Sequence, residues 1–163
     1  MPTGKNQTFN VTLLGFLLVM TLFARNPELH GACMFSGWTN FIPCHFYHAN
    51  LFHWGCNALA LGLMRPSPSA MLVALAYGSF AMLTATQPTI GISAAVYAYI
   101  GMNIIKWNMK LSDWTTFALA NILTYFMPGV AFGVHLAAFL LGAGHACIEY
   151  QIKRIKNILL DNR

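Results

Sequence analysis

Gly91-Ile92-Ser93-Ala94-Ala95-Val96-Tyr97-Ala98-Tyr99-Ile100-Gly101 is an apolar segment that carries one small hydroxyl at its start. In a membrane helix, serine is a common interface residue whose hydroxyl bonds back to the preceding turn. Ser93 gains weight because two other segments carry polar side chains at what should be the same depth. His53 and Asn57 lie in one of them and His135 in the other.

The chain around this stretch has 163 residues, 57% of them hydrophobic and 8% charged. An ordinary soluble domain has about a quarter of its residues charged. A soluble fold of this size has no means of hiding so much apolar surface, so lipid is the expected solvent. The expectation is one all-α integral membrane domain over residues 1–163, a six-helix transmembrane bundle. Its spans are placed at Phe9–Ala24, Ala49–Met64, Ser69–Ala85, Gly91–Lys106, Trp114–Met127 and Gly133–Tyr150. Several fall short of the ~20 residues that cross a bilayer comfortably, which calls for longer true ends or a locally thinned membrane.

The net charge of +5 is sorted rather than clustered. Lys5 precedes the first span, Arg65 follows the second, Lys106 and Lys110 follow the fourth, and Lys153, Arg154, Lys156 and Arg163 follow the sixth. Only Arg25 falls in a connection of the other parity. This is the positive-inside pattern of a chain with both termini in the cytoplasm, and it argues against a nucleic-acid partner. The tail with Lys153, Arg154 and Lys156 among Ile and Leu suits anionic lipid headgroups.

The outer connection Arg25–Tyr47 is rich in aromatic residues and Met, including Met34, Phe35, Trp38, Phe41 and Phe46. That composition suits a loop lying in the membrane interface. Cys33, Cys44, Cys56 and Cys147 show no paired short spacing, so buried thiols are expected rather than a disulfide framework.

His53 and Asn57 are four residues apart and share a helix face, whereas the five-residue offset turns His48 about 140° away. Two polar side chains on one face inside a membrane are costly unless they face the protein interior or a wet cavity. The sixth span carries a small ridge at Ala138, Gly142 and Ala146, and Ala94 and Ala98 make a similar one beside Ser93. Close packing of these two helices would bring Ser93 towards His135. By charge parity, spans two, four and six all run inward from the outer side. His53, Ser93 and His135 each lie within about five residues of their outer starts, a shared depth of roughly 5–8 Å.

A serine hydroxyl becomes a nucleophile when a neighbouring base takes its proton, and His135 is the best-placed base. Acyl transfer also needs donors for the oxyanion, a role open to the Asn57 amide, the His53 imidazole and the Ser93 backbone N–H. The acidic residues are Glu28, Asp113, Glu149 and Asp161. Three of them fall at the inner side and Glu28 in the interfacial loop, so a Ser–His dyad is expected rather than a triad. Tyr97 shares the face of Ser93, where its ring is expected to stack on His135.

His48-x4-His53-x3-Asn57, then Gly91-x-Ser93 with Tyr97 and Gly101, then His135 with Ala138 and Gly142, resembles the rhomboid family of intramembrane serine proteases. The resemblance covers spans two, four and six in order. It implies Ser93 as nucleophile, His135 as general base and acid, and His53 and Asn57 in the oxyanion hole, with Tyr97 and His48 in support. It also implies a bacterial inner-membrane enzyme without cofactor or metal. Its substrate would be a transmembrane helix that enters sideways near the fifth span and unwinds near a small residue, with water coming from beneath the loop at Met127–Phe132. Ala94 stands where the family usually has Gly, and Trp38-Thr39 is the nearest equivalent of its Trp-Arg pair.

Three other readings fit parts of the pattern. A catalytically inactive relative would bind membrane helices without cutting them. A bis-histidine haem, copper or zinc protein would use His45, His48, His53, His135, Cys44 and Cys56 as ligands, although no H-E-x-x-H is present. A transporter would use its polar residues only to join helices.

Overall fold

Residues 4–23, 42–107, 110–125 and 130–161 are described by the structure, a computed structural model, and their regular structure is helical. Helix α1 covers Gly4–Phe23, a 3-10 turn covers Pro43–Phe46, and α2 covers Leu51–Met64. Then come α3 (Pro68–Met82), α4 (Ser93–Asn103), α5 (Leu111–Tyr125) and α6 (Phe132–Asp161). Most of the expected interfacial loop, with Glu28, Cys33 and Trp38-Thr39, lies outside the described residues, as does the first half of the expected outer loop at Met127–Phe132.

Local signals set the helix ends. The Asn50 side chain accepts from the His53 N–H at 2.8 Å and caps α2, which begins two residues later than expected and leaves His48 outside the helix. At the other end Arg65 takes a left-handed conformation (φ 48°), donates its N–H to Leu61 and is followed by Pro66, which stops the helix. Ser67 caps α3, and Pro68 occupies its first turn.

Among the described residues two helices are long and apolar enough to cross a membrane, Asn6–Phe23 within α1, and α6, each with an 18-residue stretch of mean hydropathy 1.4. Only 17% and 28% of these apolar stretches is buried. Their hydrophobic faces are therefore not packed as in the core of a soluble protein, which suits a membrane protein. The expected six-span bundle is corrected by the same finding. Helices α2, α3, α4 and α5 have 14, 15, 11 and 15 residues. They cover only about 16–23 Å at 1.5 Å per residue, against a hydrocarbon core of ~30 Å. The apolar runs outlast the helices: Ile104 and Ile105, for example, continue the hydrophobic stretch of α4 but lie in a turn.

Helix α4 is the centre of the fold, with Ala94, Ala95, Val96, Ala98, Tyr99, Gly101 and Met102 buried. It is clasped from both sides through glycines. A methyl on Gly78 of α3 would lie 2.7 Å from the Ala95 nitrogen. A methyl on Gly101 would meet the Phe139 carbonyl and lie 2.7 Å from the Ala143 nitrogen. One on Gly142 would run into the Ala98 carbonyl. The backbones of α4 and α6 thus touch, as small residues permit. Tyr77 of α3 joins α6 through its hydroxyl, 3.0 Å from His145 Nδ1.

Helices α1 and α2 run antiparallel. Asn10 of α1 donates to the Pro66 carbonyl beyond one end of α2, and Thr21 meets His48 before the other. The 3-10 turn fastens to this layer through Phe46 on Phe16, ring centroids 5.6 Å apart, and to α3 through His45 Nε2 on Ser79 Oγ at 3.0 Å. Helix α5 touches the rest more lightly, through Phe117 against Tyr97 and Phe139.

Candidate active site

Helix α4 begins at Ser93 itself, with Ile92 as a cap that contributes no side-chain hydrogen bond. Ser93, Ala94 and Ala95 occupy the first turn, so their N–H groups have no intrahelical partner, while Val96 is the first to bond back, to the Ile92 carbonyl at 3.1 Å. The positive end of the helix dipole therefore lies beside the Ser93 hydroxyl.

The close approach of α4 and α6 sets Ser93 Oγ 2.8 Å from His135 Nε2. His135 is in the first turn of α6 and is 8% exposed. Its ring lies flat on Tyr97, with centroids 4.4 Å apart and planes 4° from parallel. Because the hydroxyl is to be the donor, the imidazole proton belongs on Nδ1. That nitrogen is buried without a hydrogen-bond partner among the described residues. Glu149 does not supply one: it pairs with Lys106 at 3.0 Å and Lys153 at 2.8 Å, about 21 Å further along α6. The serine and histidine thus form a pair oriented by an aromatic face. Replacing Tyr97 with Leu is expected to slow acylation of Ser93 by about 2–12-fold, the worth of one ring stack. Tyr97→Phe, which keeps the ring, is expected to stay near the wild-type rate. Single-turnover labelling with a serine-reactive fluorophosphonate measures both.

His53 reaches the site through Gly91. This glycine has φ +117°, and its N–H donates to the Cys44 carbonyl at 2.8 Å. A Cβ built on it would lie 2.6 Å from His53 Cε1 and 2.9 Å from Nε2. The imidazole thus rests directly against the backbone two residues before Ser93. Reading the sequence treated Gly91 only as part of a motif, although its position before the helix was the signal. Gly91→Ala is expected to combine backbone strain with a collision against His53 and to lower the thermal midpoint in detergent by several degrees.

Asn57, one turn along α2, is 6% exposed, and its Nδ2 donates to the His53 carbonyl at 3.2 Å. One of its two amide hydrogens is therefore engaged within its own helix. His48 stands behind His53, with rings edge to face at 5.1 Å, and its Nδ1 lies 3.2 Å from Thr21 Oγ. Burial, and then the neighbouring His53, push the His48 pKa down to about 3, so this ring is neutral at physiological pH. Burial likewise lowers His45 to about 4 and raises the Cys44 thiol to about 12, so Cys44 is not a thiolate nucleophile. Cys44 is buried as expected, whereas Cys56 and Cys147 are exposed on the helix exteriors.

Ser93, His135 and Tyr97 are thus brought into direct contact, with His53 beside Gly91 and Asn57 and His48 one layer away. Among the described residues no three His, Cys, Asp or Glu side chains gather as ligands for a metal ion. No protein-family model matches the chain, and no curated protein sequence matches it.

Proposed function

We propose that the protein is an intramembrane serine endopeptidase of rhomboid type, cutting transmembrane helices of other proteins. The observation that carries the reading is the 2.8 Å contact between Ser93 Oγ and His135 Nε2 under the Tyr97 ring, in a chain that exposes many large apolar side chains. In this mechanism Ser93 attacks the scissile carbonyl while His135 Nε2 takes its proton. The oxyanion is held by the first-turn N–H groups of α4, with His53 and the second Asn57 amide hydrogen as further donors. Collapse of the tetrahedral adduct expels the amine, which leaves with the proton returned by His135. Water, deprotonated by the same imidazole, then hydrolyses the acyl-serine. A dyad suffices because stacking, rather than a carboxylate, holds the ring.

The protein is proposed to be a multi-pass protein of a bacterial inner membrane, with the lipid bilayer as its surroundings and no cofactor or nucleic-acid partner. In-helix engagement of the Asn57 amide favours a second reading, an inactive relative that binds membrane helices. The two separate on cleavage of single-span reporter proteins, with small residues near one end of the span, in vesicles containing the purified protein. Fragments that appear with the wild type and not with Ser93→Ala support the protease. Capture of intact reporter without fragments supports the binder.

A further inference from the structure

Thr21 stands in the last turn of α1, 1% exposed, and has no part in the chemistry proposed for Ser93. Its hydroxyl has two neighbours, the Leu17 carbonyl at 2.7 Å and His48 Nδ1 at 3.2 Å. The hydroxyl has a single proton to give, and a carbonyl oxygen can only accept. Two oxygens at so short a distance need that proton between them, so Thr21 donates to Leu17, the familiar bond of a helical threonine to the preceding turn. Towards His48 the same oxygen is therefore the acceptor, and Nδ1 must carry a hydrogen.

This bond fixes the tautomer of a buried ring. His48 is 1% exposed and neutral, so a proton on Nδ1 leaves a bare lone pair on Nε2. The Nε2 atom is buried without a partner among the described residues, and a proton there would be a donor with nothing to meet. A neutral imidazole carries a dipole from its bare nitrogen to its N–H, so a change of tautomer turns the field that the ring presents to its neighbours.

The neighbour that matters is His53. Its ring meets His48 edge to face, with centroids 5.1 Å apart, and rests against the backbone at Gly91, two residues before Ser93. A continuous line of contact thus runs from α1 to the start of α4 through Thr21, His48, His53 and Gly91. We infer that Thr21 is a positioning residue for the oxyanion donor: its hydroxyl fixes the seat and the Nδ1–H tautomer of His48, and through that ring the orientation of His53. The effect on rate rests on the protease reading, whereas the tautomer of His48 does not.

Isotopic nitrogen labelling of the histidines in the purified protein tests this, because long-range proton–nitrogen spectra distinguish a protonated ring nitrogen from a bare one. His48 is identified as the signal lost in His48→Asn. In the wild type it is expected to show a protonated Nδ1 and a bare Nε2. Thr21→Val, which keeps the shape and removes the hydroxyl, is expected to lose this single form and to slow fluorophosphonate acylation of Ser93 by about 2–12-fold, the worth of one hydrogen bond. Thr21→Ser, which keeps the hydroxyl, is expected to match the wild type in both spectrum and rate. A wild-type His48 protonated on Nε2 overturns the proposal, as does a folded Thr21→Val protein that keeps either the wild-type spectrum or the wild-type rate. Equal slowing in Thr21→Ser assigns the effect to the threonine methyl and overturns the role of the hydroxyl. A wild-type protein that takes no label on Ser93 defeats the protease reading instead, and the spectra still decide the tautomer. Where Thr21→Val fails to fold, the wild-type spectrum and Thr21→Ser decide the matter.

Discussion

Alanine at His135 is expected to slow fluorophosphonate acylation of Ser93 by about 10²–10⁴-fold, the usual contribution of a positioned general base. The size of the effect follows from how little else reaches the serine hydroxyl. Glu149 is held by two lysines about 21 Å away, and Cys44 remains a thiol. His53 leans on Gly91 rather than on Ser93, and His48 and His45 meet Thr21 and Ser79 instead. Rates from single-turnover labelling, taken with thermal midpoints for both proteins, separate loss of the base from loss of the fold. Near wild-type labelling in a folded His135→Ala protein would mean that another group activates the serine.

Gly142→Leu is expected to do comparable damage from a distance. The site exists because α4 and α6 touch backbone to backbone, and at Gly142 a side chain would collide with the Ala98 carbonyl and sit 3.0 Å from the Met102 nitrogen. Leucine there must push the helices apart, at a stability cost of ~1–3 kcal/mol or more. Ser93 and His135 begin the two helices that separate, so their 2.8 Å contact opens. A displacement of about 1 Å costs on the order of 10²-fold in rate. Gly144→Ala is the matched control: on the same helix, nothing lies within 4 Å of the added carbon. Labelling and melting temperature should both stay near wild type there, and a Gly142→Leu protein that behaves the same way would show that close packing does not build the site.

That packing was legible in the sequence because small residues leave a direct trace. Ala94 and Ala98 on one helix and Ala138, Gly142 and Ala146 on the other form ridges whose partners are readable from spacing alone. The stacking of Tyr97 on His135 follows from the same register, since Tyr97 lies one turn beyond Ser93. The number of spans was not legible. Hydropathy reports where apolar residues continue, whereas helix length depends on local stops such as Arg65-Pro66 and the positive φ of Gly91. Chains of apolar residues that pass through turns therefore read as spans, while among the described residues only α1 and α6 have the length. Asn57 shows another limit: a shared face with His53 was visible, but not that its amide would bond one turn back to the His53 carbonyl. Nor did spacing disclose the long-range partners of the histidines, Thr21 for His48, Ser79 for His45 and Tyr77 for His145, which depend on how whole helices are laid side by side.

The most direct test of an activated serine is peptide mapping by mass spectrometry of the detergent-purified wild-type protein after reaction with a fluorophosphonate. The account predicts one covalent adduct, on Ser93, that is absent from Ser93→Ala and strongly reduced in His135→Ala. A folded wild-type protein that acquires no adduct, or acquires it on another residue, would contradict it.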